Sequence, residues 1–191
     1  MITRTARFIT DSLAPAYLVI AVLLAIGWHS TQSLTGVGWG LLAALFCGGI
    51  PFAVILLGVR LGKWTDKHVR IRQQRAVPLT AAMASVLAGL FLLRLLDAPR
   101  EVFALVVAML AGLVLTLLVT YWWKVSVHTA VAAGTVVVLI VAYGPALAAL
   151  APVLAAVGWS RVALHDHTPA QVLGGAALGS LAAGVIFTLL R

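Results

Sequence analysis

The sequence predicts an all-α membrane protein whose helices form one polytopic transmembrane bundle of six to seven spans. Of its 191 residues, 63% are hydrophobic and only 9% are charged, and the mean hydropathy is +1.11. Apolar runs of about 20 residues match the length of a transmembrane helix, and no strand-like alternation of the outer-membrane-barrel kind is present. We therefore expect residues 1–191 to form a single integral-membrane domain with short connections.

Charge and cysteine content exclude several other classes of protein. The formal net charge is +8, with 13 Lys and Arg against 5 Asp and Glu. Because the basic residues cluster between apolar runs, membrane topology and anionic head groups account for them, and we predict no nucleic-acid partner. The single Cys47 excludes a disulfide framework. The first apolar run follows Arg4 and Arg7 as in a signal peptide, but it has span length and no small-residue cleavage site, which predicts an uncleaved helix.

The first half of the chain contains two spans and then a basic loop. A short polar segment, residues 1–11, precedes the first span. Gly48, Gly49 and Pro51 in the second span predict close helix packing or a kink. Residues 60–78 then carry six of the 13 Lys and Arg and no long apolar run. The seven predicted spans are residues 13–28, 39–59, 79–96, 102–123, 126–142, 146–161 and 169–190.

Charged and turn-forming residues separate the later spans. Residues 97–101 predict a tight charged turn, and residues 144–145, Gly-Pro, predict another. Ser126 is a suitable N-cap for the fifth span. Thr168 and Gln171 have the spacing of a capping box at the start of the seventh.

The number of spans between the polar stretches predicts where these stretches lie. Two spans precede the basic loop, two more separate it from residues 124–128, and two more separate those from residues 161–167. An even number of crossings returns the chain to the same membrane face. We therefore expect the densest ionisable groups to converge at one end of the bundle, which is the default place for a functional site.

The converging residues suit a phosphate group. Arg forks bind phosphate oxygens bidentately, and two helix N-termini at this end add backbone donors. The basic side chains predicted to form the pocket are Arg70, Arg72, Arg75, Lys124 and Arg161. Because the pocket would lie at the bilayer surface, we expect the partner to be a lipid phosphate or diphosphate, with a prenyl or an acyl tail.

Two histidines, His128 and His167, supply the remaining chemistry for hydrolysis. One neutral imidazole can attack phosphorus while the other, protonated, donates to the leaving oxygen. Basic groups around the phosphate stabilise the transition state, so we expect no metal and no cofactor. A zinc site is disfavoured. The two histidines His165 and His167 flank Asp166, but no clear further ligand accompanies them. The alternatives are an interfacial role for His167 and a structural one for His128.

Three segments resemble the signatures of the type 2 phosphatidic acid phosphatase family, which shares a fold with the vanadium haloperoxidases. Ser160-Arg161, five residues and then His167 resembles the third signature. Residues 126–128, Ser-Val-His, resemble the second, Pro-Ser-Gly-His, and residues 68–75 resemble the first, Lys-x6-Arg-Pro. The resemblance implies a phosphatase-like core over about residues 60–191.

The resemblance implies a role for each matched residue. His167 would be the nucleophile that forms a phosphohistidine, and His128 would be the general acid for the leaving group. Gln171 would orient His167. The residues that would bind the phosphate are Arg75, Ser126, Arg161, Lys124 and His68.

The sequence departs from these signatures in four places. His68 stands where the first signature has Lys, and Ala76 stands where it has Pro. Lys124 and Val127 replace the Pro and Gly of the second, which keeps the backbone donor but adds bulk near the phosphate. Gln171 stands where an Asp usually orients the nucleophile, although a Gln oxygen still accepts the His N–H.

The sequence therefore predicts an integral-membrane lipid phosphatase that hydrolyses a phosphomonoester or diphosphate on an isoprenoid or glycerophospholipid without a metal. The alternative, motivated by the four departures, is a non-catalytic phospholipid-binding or transport protein. A haloperoxidase-like oxidase is disfavoured because those enzymes are soluble and need vanadate.

The composition favours a bacterial inner membrane. Arg4, Arg7 and the basic loop predict a site that faces the cytoplasm, although the resembled family often works on the outer face. The oligomeric state stays open.

Overall fold

The computed structural model describes residues 2–67, 69, 71–74 and 76–191, without the side chain of Arg72. Two residues predicted to bind phosphate, His68 and Arg75, lie outside the described residues, as does Arg70. Their roles therefore stay predictions.

Within the described ranges the chain is helical and contains no strand, which confirms the all-α class. A π-helical segment, Leu45–Gly49, joins α3 to α4, and 3-10 turns occupy Arg72–Gln74 and Pro145–Leu150. In chain order the α-helices are α1 (Ile2–Ser12), α2 (Pro15–Thr31), α3 (Leu34–Ala44), α4 (Ile50–Arg60), α5 (Ala76–Leu95), α6 (Arg100–Trp122), α7 (Val127–Tyr143), α8 (Ala151–Ala163) and α9 (Pro169–Leu190).

The apolar helices are those of an integral membrane protein. Among the described residues, five helical segments are long and apolar enough to cross a membrane, and α1 with α2 forms a sixth if this pair, bent by 44°, counts as one span. The shorter apolar helix α7 has 17 residues, the lower limit for a span. The five segments are Leu34–Arg60, Ala76–Leu95, Arg100–Trp122, Pro145–Ala163 and Pro169–Leu190.

Hydrogen bonds at both ends of α7 show that it extends through the whole depth of the bundle, parallel to α9. Just before α7, the Ser126 N–H donates to the Gln171 carbonyl in the first turn of α9, at 3.2 Å. At the other end, the Arg191 guanidinium donates to the Val141 carbonyl at 2.6 Å. The two helices therefore begin together and end together.

Glycines allow α7 and α9 to approach very closely. A Cβ added at Gly175 would clash with the Ser126 carbonyl oxygen, and one at Gly179 would clash with the Ala130 carbonyl oxygen. At Gly174 the added Cβ would lie 2.7 Å from the Trp123 ring. Small residues of this kind let helix backbones touch in a membrane bundle. The backbones of α7 and α9 are therefore in direct contact.

The N-terminal segment differs from the prediction. The sequence predicts a short polar segment over residues 1–11, but Ile2–Ser12 forms helix α1. Ala6 and Thr10 lie one turn apart and are buried, at 0% and 2% exposure, whereas Arg4 and Arg7 are exposed. This pattern is that of a short amphipathic helix. It packs against α8, which brings α1 to the end of the bundle where the polar stretches lie.

The irregularity predicted in the second span is present as the π-helical segment Leu45–Gly49. Pro51, the second residue after this segment, has no N–H to donate, so a regular helical hydrogen bond is lost there. The third span also begins earlier than predicted, at Ala76 instead of residue 79. Pro78 lies in its first turn. Backbone N–H groups there have no acceptor within the helix, so a proline costs no hydrogen bond.

Candidate functional site

Contacts between loops place all three polar stretches at one end of the bundle. Lys124 Nζ donates to the Asp166 carbonyl oxygen at 2.6 Å, which joins the α6–α7 link to the α8–α9 loop. In the basic loop, Lys67 Nζ lies 2.8 Å from Asp11 Oδ1 at the end of α1. Since α1 packs on α8, the basic loop reaches the same end. The convergence predicted by counting spans is therefore present in the structure.

His167 is held at the start of α9 by a capping box. Its side chain is 6% exposed, and its Nδ1 lies 3.2 Å from Gln171 Oε1. The same oxygen accepts the Thr168 N–H at 3.2 Å, and Thr168 Oγ1 accepts the Gln171 N–H at 3.3 Å. The predicted capping box at Thr168 and Gln171 is confirmed. Gln171 thus contacts both the helix N-terminus and the histidine.

This shared acceptor determines the tautomer of neutral His167. A backbone N–H can only donate, so the Gln171 atom that faces Thr168 must be the amide oxygen. Nδ1 of His167 faces the same oxygen and therefore carries the proton. Nε2 then keeps its lone pair, which is the form that a nucleophilic imidazole needs.

Arg161 is the largest fully buried side chain among the described residues, at 1% exposure, and it belongs to an ion pair. Its Nη2 lies 2.7 Å from Asp166 Oδ2, and its Nη1 donates to Thr10 Oγ1 at 3.2 Å. Its carbonyl oxygen accepts the N–H groups of Asp166 and His167 at 3.1 and 3.2 Å. Arg161 therefore holds the loop that carries His167, and Asp166 neutralises its charge.

The α6–α7 link contributes Lys124 and Ser126. Ser126 is fully buried, and its Oγ accepts the Thr129 N–H at 3.4 Å, which confirms the predicted N-cap of α7. Lys124 lines an open pocket at this end of the bundle together with Asp166, His167 and Gln171. We call it the surface pocket. Lys124 thus places a positive charge in the same pocket as His167.

His128 lines a different space. It lies in the first turn of α7, is 5% exposed, and borders a cavity of about 290 Å³ that we call the central cavity. Asp11 and Lys67 line the same cavity, and the rest of its wall is mainly apolar side chains of α2, α4, α5, α6, α7 and α9. The two predicted catalytic histidines are therefore at one end of the bundle but open on two neighbouring pockets.

A chain of buried hydrogen bonds connects α1 to Arg161, and the sequence alone did not indicate it. Ser160 Oγ donates to the Val157 carbonyl at 2.8 Å and lies 3.0 Å from Thr10 Oγ1. Since Ser160 uses its proton on Val157, Thr10 donates to Ser160 and accepts from Arg161. Thr10 and Ser160 are 150 residues apart, so no local pattern joins them. The sequence did contain a clue to the role of Asp166, because this residue is one of only five acidic residues and follows Arg161 closely.

Replacing Thr10 by valine is expected to destabilise this end of the bundle. Valine keeps the shape of the side chain but leaves Arg161 and Ser160 each without one buried partner, a loss of about 1–3 kcal/mol. The measurement is thermal unfolding of the detergent-purified protein. Thr10→Ser keeps the hydroxyl and is expected to stay near the wild type. An unchanged melting temperature for Thr10→Val would contradict a contribution from these hydrogen bonds.

The two pockets define what this end of the bundle can do chemically. The surface pocket contains the imidazole of His167 and the positive charge of Lys124, and the central cavity is a mainly apolar chamber beside His128. In the described part of the chain, no three His, Cys, Asp or Glu side chains gather as metal ligands would.

No family model, curated protein or solved structure matches this chain.

Proposed function

We propose that this protein is a metal-independent lipid phosphatase that hydrolyses a phosphomonoester or diphosphate on an isoprenoid or glycerophospholipid. The observation that supports the proposal is the orientation of His167. Gln171 accepts its Nδ1 proton, which leaves the Nε2 lone pair as a nucleophile in a pocket that also contains Lys124. This pocket lies at one end of a bundle of apolar helices, where a lipid head group would meet it.

The reaction has two steps. In the first, Nε2 of His167 attacks phosphorus, the bond from phosphorus to the leaving oxygen breaks, and protonated His128 gives that oxygen its proton. In the second, water attacks the phosphohistidine, the P–N bond breaks, and the proton from water returns to His128. Lys124 stabilises the charge on the phosphoryl oxygens. The leaving oxygen would lie between the surface pocket and the central cavity.

Arg161 has a positioning role in this proposal. Its guanidinium is paired with Asp166 at 2.7 Å and is covered from solvent. It keeps the loop between α8 and α9 in the shape that presents His167. Ser126 acts in a similar way, because its hydroxyl caps α7 and thereby places His128.

The proposal is tested by phosphate release from detergent-purified protein in EDTA. The substrates are a polyprenyl diphosphate, a polyprenyl phosphate, phosphatidate and phosphatidylglycerophosphate. We expect release from at least one of them, and an acid-labile phosphoenzyme after rapid quenching with labelled substrate. Absence of release from all four, with and without Mg²⁺, would overturn the proposal.

A second candidate is a non-catalytic phospholipid-binding or transport protein. Two observations favour it: Asp166 already neutralises Arg161, and His128 and His167 open on different pockets. It predicts that the same four lipids bind without turnover. The phosphate-release assay combined with a binding measurement therefore separates the two candidates.

We further propose a bacterial inner membrane, with the site on the cytoplasmic face. The test uses a Cys47→Ala background and Thr65→Cys, since Thr65 is exposed in the basic loop. A membrane-impermeant thiol reagent is expected to label it only after permeabilisation. Thr35→Cys, exposed at the start of α3 on the opposite face, is expected to label in intact cells. The reverse pattern would place the site outside.

A further inference from the structure

We infer that the central cavity binds the hydrocarbon chain of a lipid that has one chain, and that Gly112 sets how much of the chain it accepts. This inference rests on the proposed function for the identity of the head group. It goes beyond it by choosing one class of lipid, single-chain amphiphiles, over the two-chain glycerophospholipids.

The polarity of the cavity wall indicates where the head and the tail of a ligand would lie. The charged and imidazole side chains that line it are Asp11, Lys67 and His128, all at the end of the bundle that carries the surface pocket. Away from that end the wall is made mostly of Val, Leu, Ile, Ala and Gly. Apolar cavities of this kind stay dry and take apolar ligands. An amphiphile with its head at His128 therefore places its tail in the bundle.

The depth of the cavity is that expected for a lipid tail. On α7 it extends from His128 to Val138, which is about 15 Å along a helix that rises 1.5 Å per residue. On α6 it extends past Gly112, about 15 Å from Trp122 at the end of the helix, to Leu105, about 25 Å from it. The hydrocarbon core of a bilayer is about 30 Å thick. The cavity therefore reaches the middle of the membrane, parallel to a lipid tail.

The volume of the cavity indicates how many chains it would hold. It is about 290 Å³, at the lower end of the range found for pockets that enclose a drug-sized ligand, roughly 300–1,000 Å³. A chamber that is this long and this small is narrow. It therefore fits one hydrocarbon chain better than two.

Gly112 is the position where chain length is determined. A Cβ added there would lie 3.7 Å from the Ala182 Cβ, an ordinary contact, so larger side chains can be accepted by the backbone. Because Gly112 lines the cavity at mid-depth, a larger side chain would fill the part below it. Leucine is also a better helix former than glycine, so α6 is not weakened.

The experiment measures binding of non-hydrolysable phosphonates to the purified protein by calorimetry. The probes carry a geranyl chain, a geranylgeranyl chain, a single hexadecyl chain, or the two acyl chains of dioleoyl phosphatidate. We expect the long single-chain probes to bind at least about tenfold more tightly than the two-chain probe. Each methylene that is buried adds affinity, and only a single chain fits the cavity well enough to be buried along its length. Preference between geranylgeranyl and hexadecyl identifies the tail as prenyl or acyl.

The variant Gly112→Leu is expected to weaken geranylgeranyl binding by about tenfold or more and to leave geranyl binding unchanged. Gly38→Leu is the matched control, because Gly38 is also helical, has nothing within 4 Å of an added Cβ, and lies outside the cavity. Equal binding of one-chain and two-chain probes, or no effect of Gly112→Leu, would overturn the inference. Because no turnover is involved, chain-dependent binding without phosphatase activity would overturn the proposed function alone.

Discussion

Replacing His167 by asparagine is expected to abolish phosphate release, with a loss of turnover of about 10³-fold or more. Asparagine is polar and fits the space of the imidazole, but it has no nucleophilic lone pair and cannot form a phosphoenzyme. The effect should therefore appear in the first chemical step. The measurement is phosphate release together with trapping of labelled phosphoenzyme, which should disappear entirely.

The matched control for this variant is His165→Asn. His165 lies two residues away in the same loop and lines the same surface pocket, but its side chain is exposed, whereas His167 is buried. Its backbone has a positive φ of 55°, which asparagine tolerates well. We expect turnover and phosphoenzyme to stay at wild-type levels. Retained activity in His167→Asn would contradict the nucleophile assignment, and an equal loss in both variants would attribute the effect to the loop instead.

Replacing Asp166 by asparagine is expected to destabilise the whole protein. The substitution leaves the Arg161 charge buried without a counter-ion, since the two side chains are only 2% and 8% exposed. Breaking one partner of a buried pair costs about 3–5 kcal/mol, which lowers the melting temperature by roughly 10 °C for a chain of this size. The measurement is thermal unfolding in detergent.

An exposed pair provides the control for Asp166→Asn. Arg94 Nη1 and Asp97 Oδ1 are 3.8 Å apart, and their side chains are 78% and 90% exposed. Such a pair contributes at most about 1 kcal/mol, so Asp97→Asn should leave the melting temperature almost unchanged. Equal effects of the two substitutions would contradict the buried ion pair.

The double variant Arg161→Met with Asp166→Asn separates the two roles that Arg161 can have. Removing both charges is expected to restore much of the lost stability, because no unpaired charge stays buried. If phosphate release returns as well, Arg161 acts only by positioning the loop. If stability returns and phosphate release does not, the guanidinium binds phosphate as the family resemblance implies.

Features encoded within a few residues were predictable from the sequence. The apolar runs predicted the spans, and counting them predicted that residues 124–128 and 161–167 would meet, as the Lys124–Asp166 contact shows. The caps at Ser126 and Thr168 followed from side-chain type and spacing alone. Local hydrogen-bonding rules and bilayer thickness govern these features.

Features that depend on the packing of distant segments were not predictable. The polar N-terminal segment became a helix only because Ala6 and Thr10 bury one face on α8. Arg161 looked like a phosphate ligand, and only the folded loop brings Asp166 against its guanidinium. The division of His128 and His167 between two pockets is likewise a property of side-chain placement within the assembled bundle. Spacing along the chain carries no information about any of these.

The glycine contact between α7 and α9 has a mechanical consequence. The backbones touch at Gly175 and Gly179, and the Thr129 hydroxyl of α7 donates to the Val172 carbonyl of α9 at 3.0 Å, which leaves the two helices little freedom to slide. The helices that carry His128 and follow His167 are therefore expected to move together. In the proposed function, a lipid would enter through the opposite wall, where the 44° bend between α1 and α2 and the π-helical segment Leu45–Gly49 interrupt regular helix.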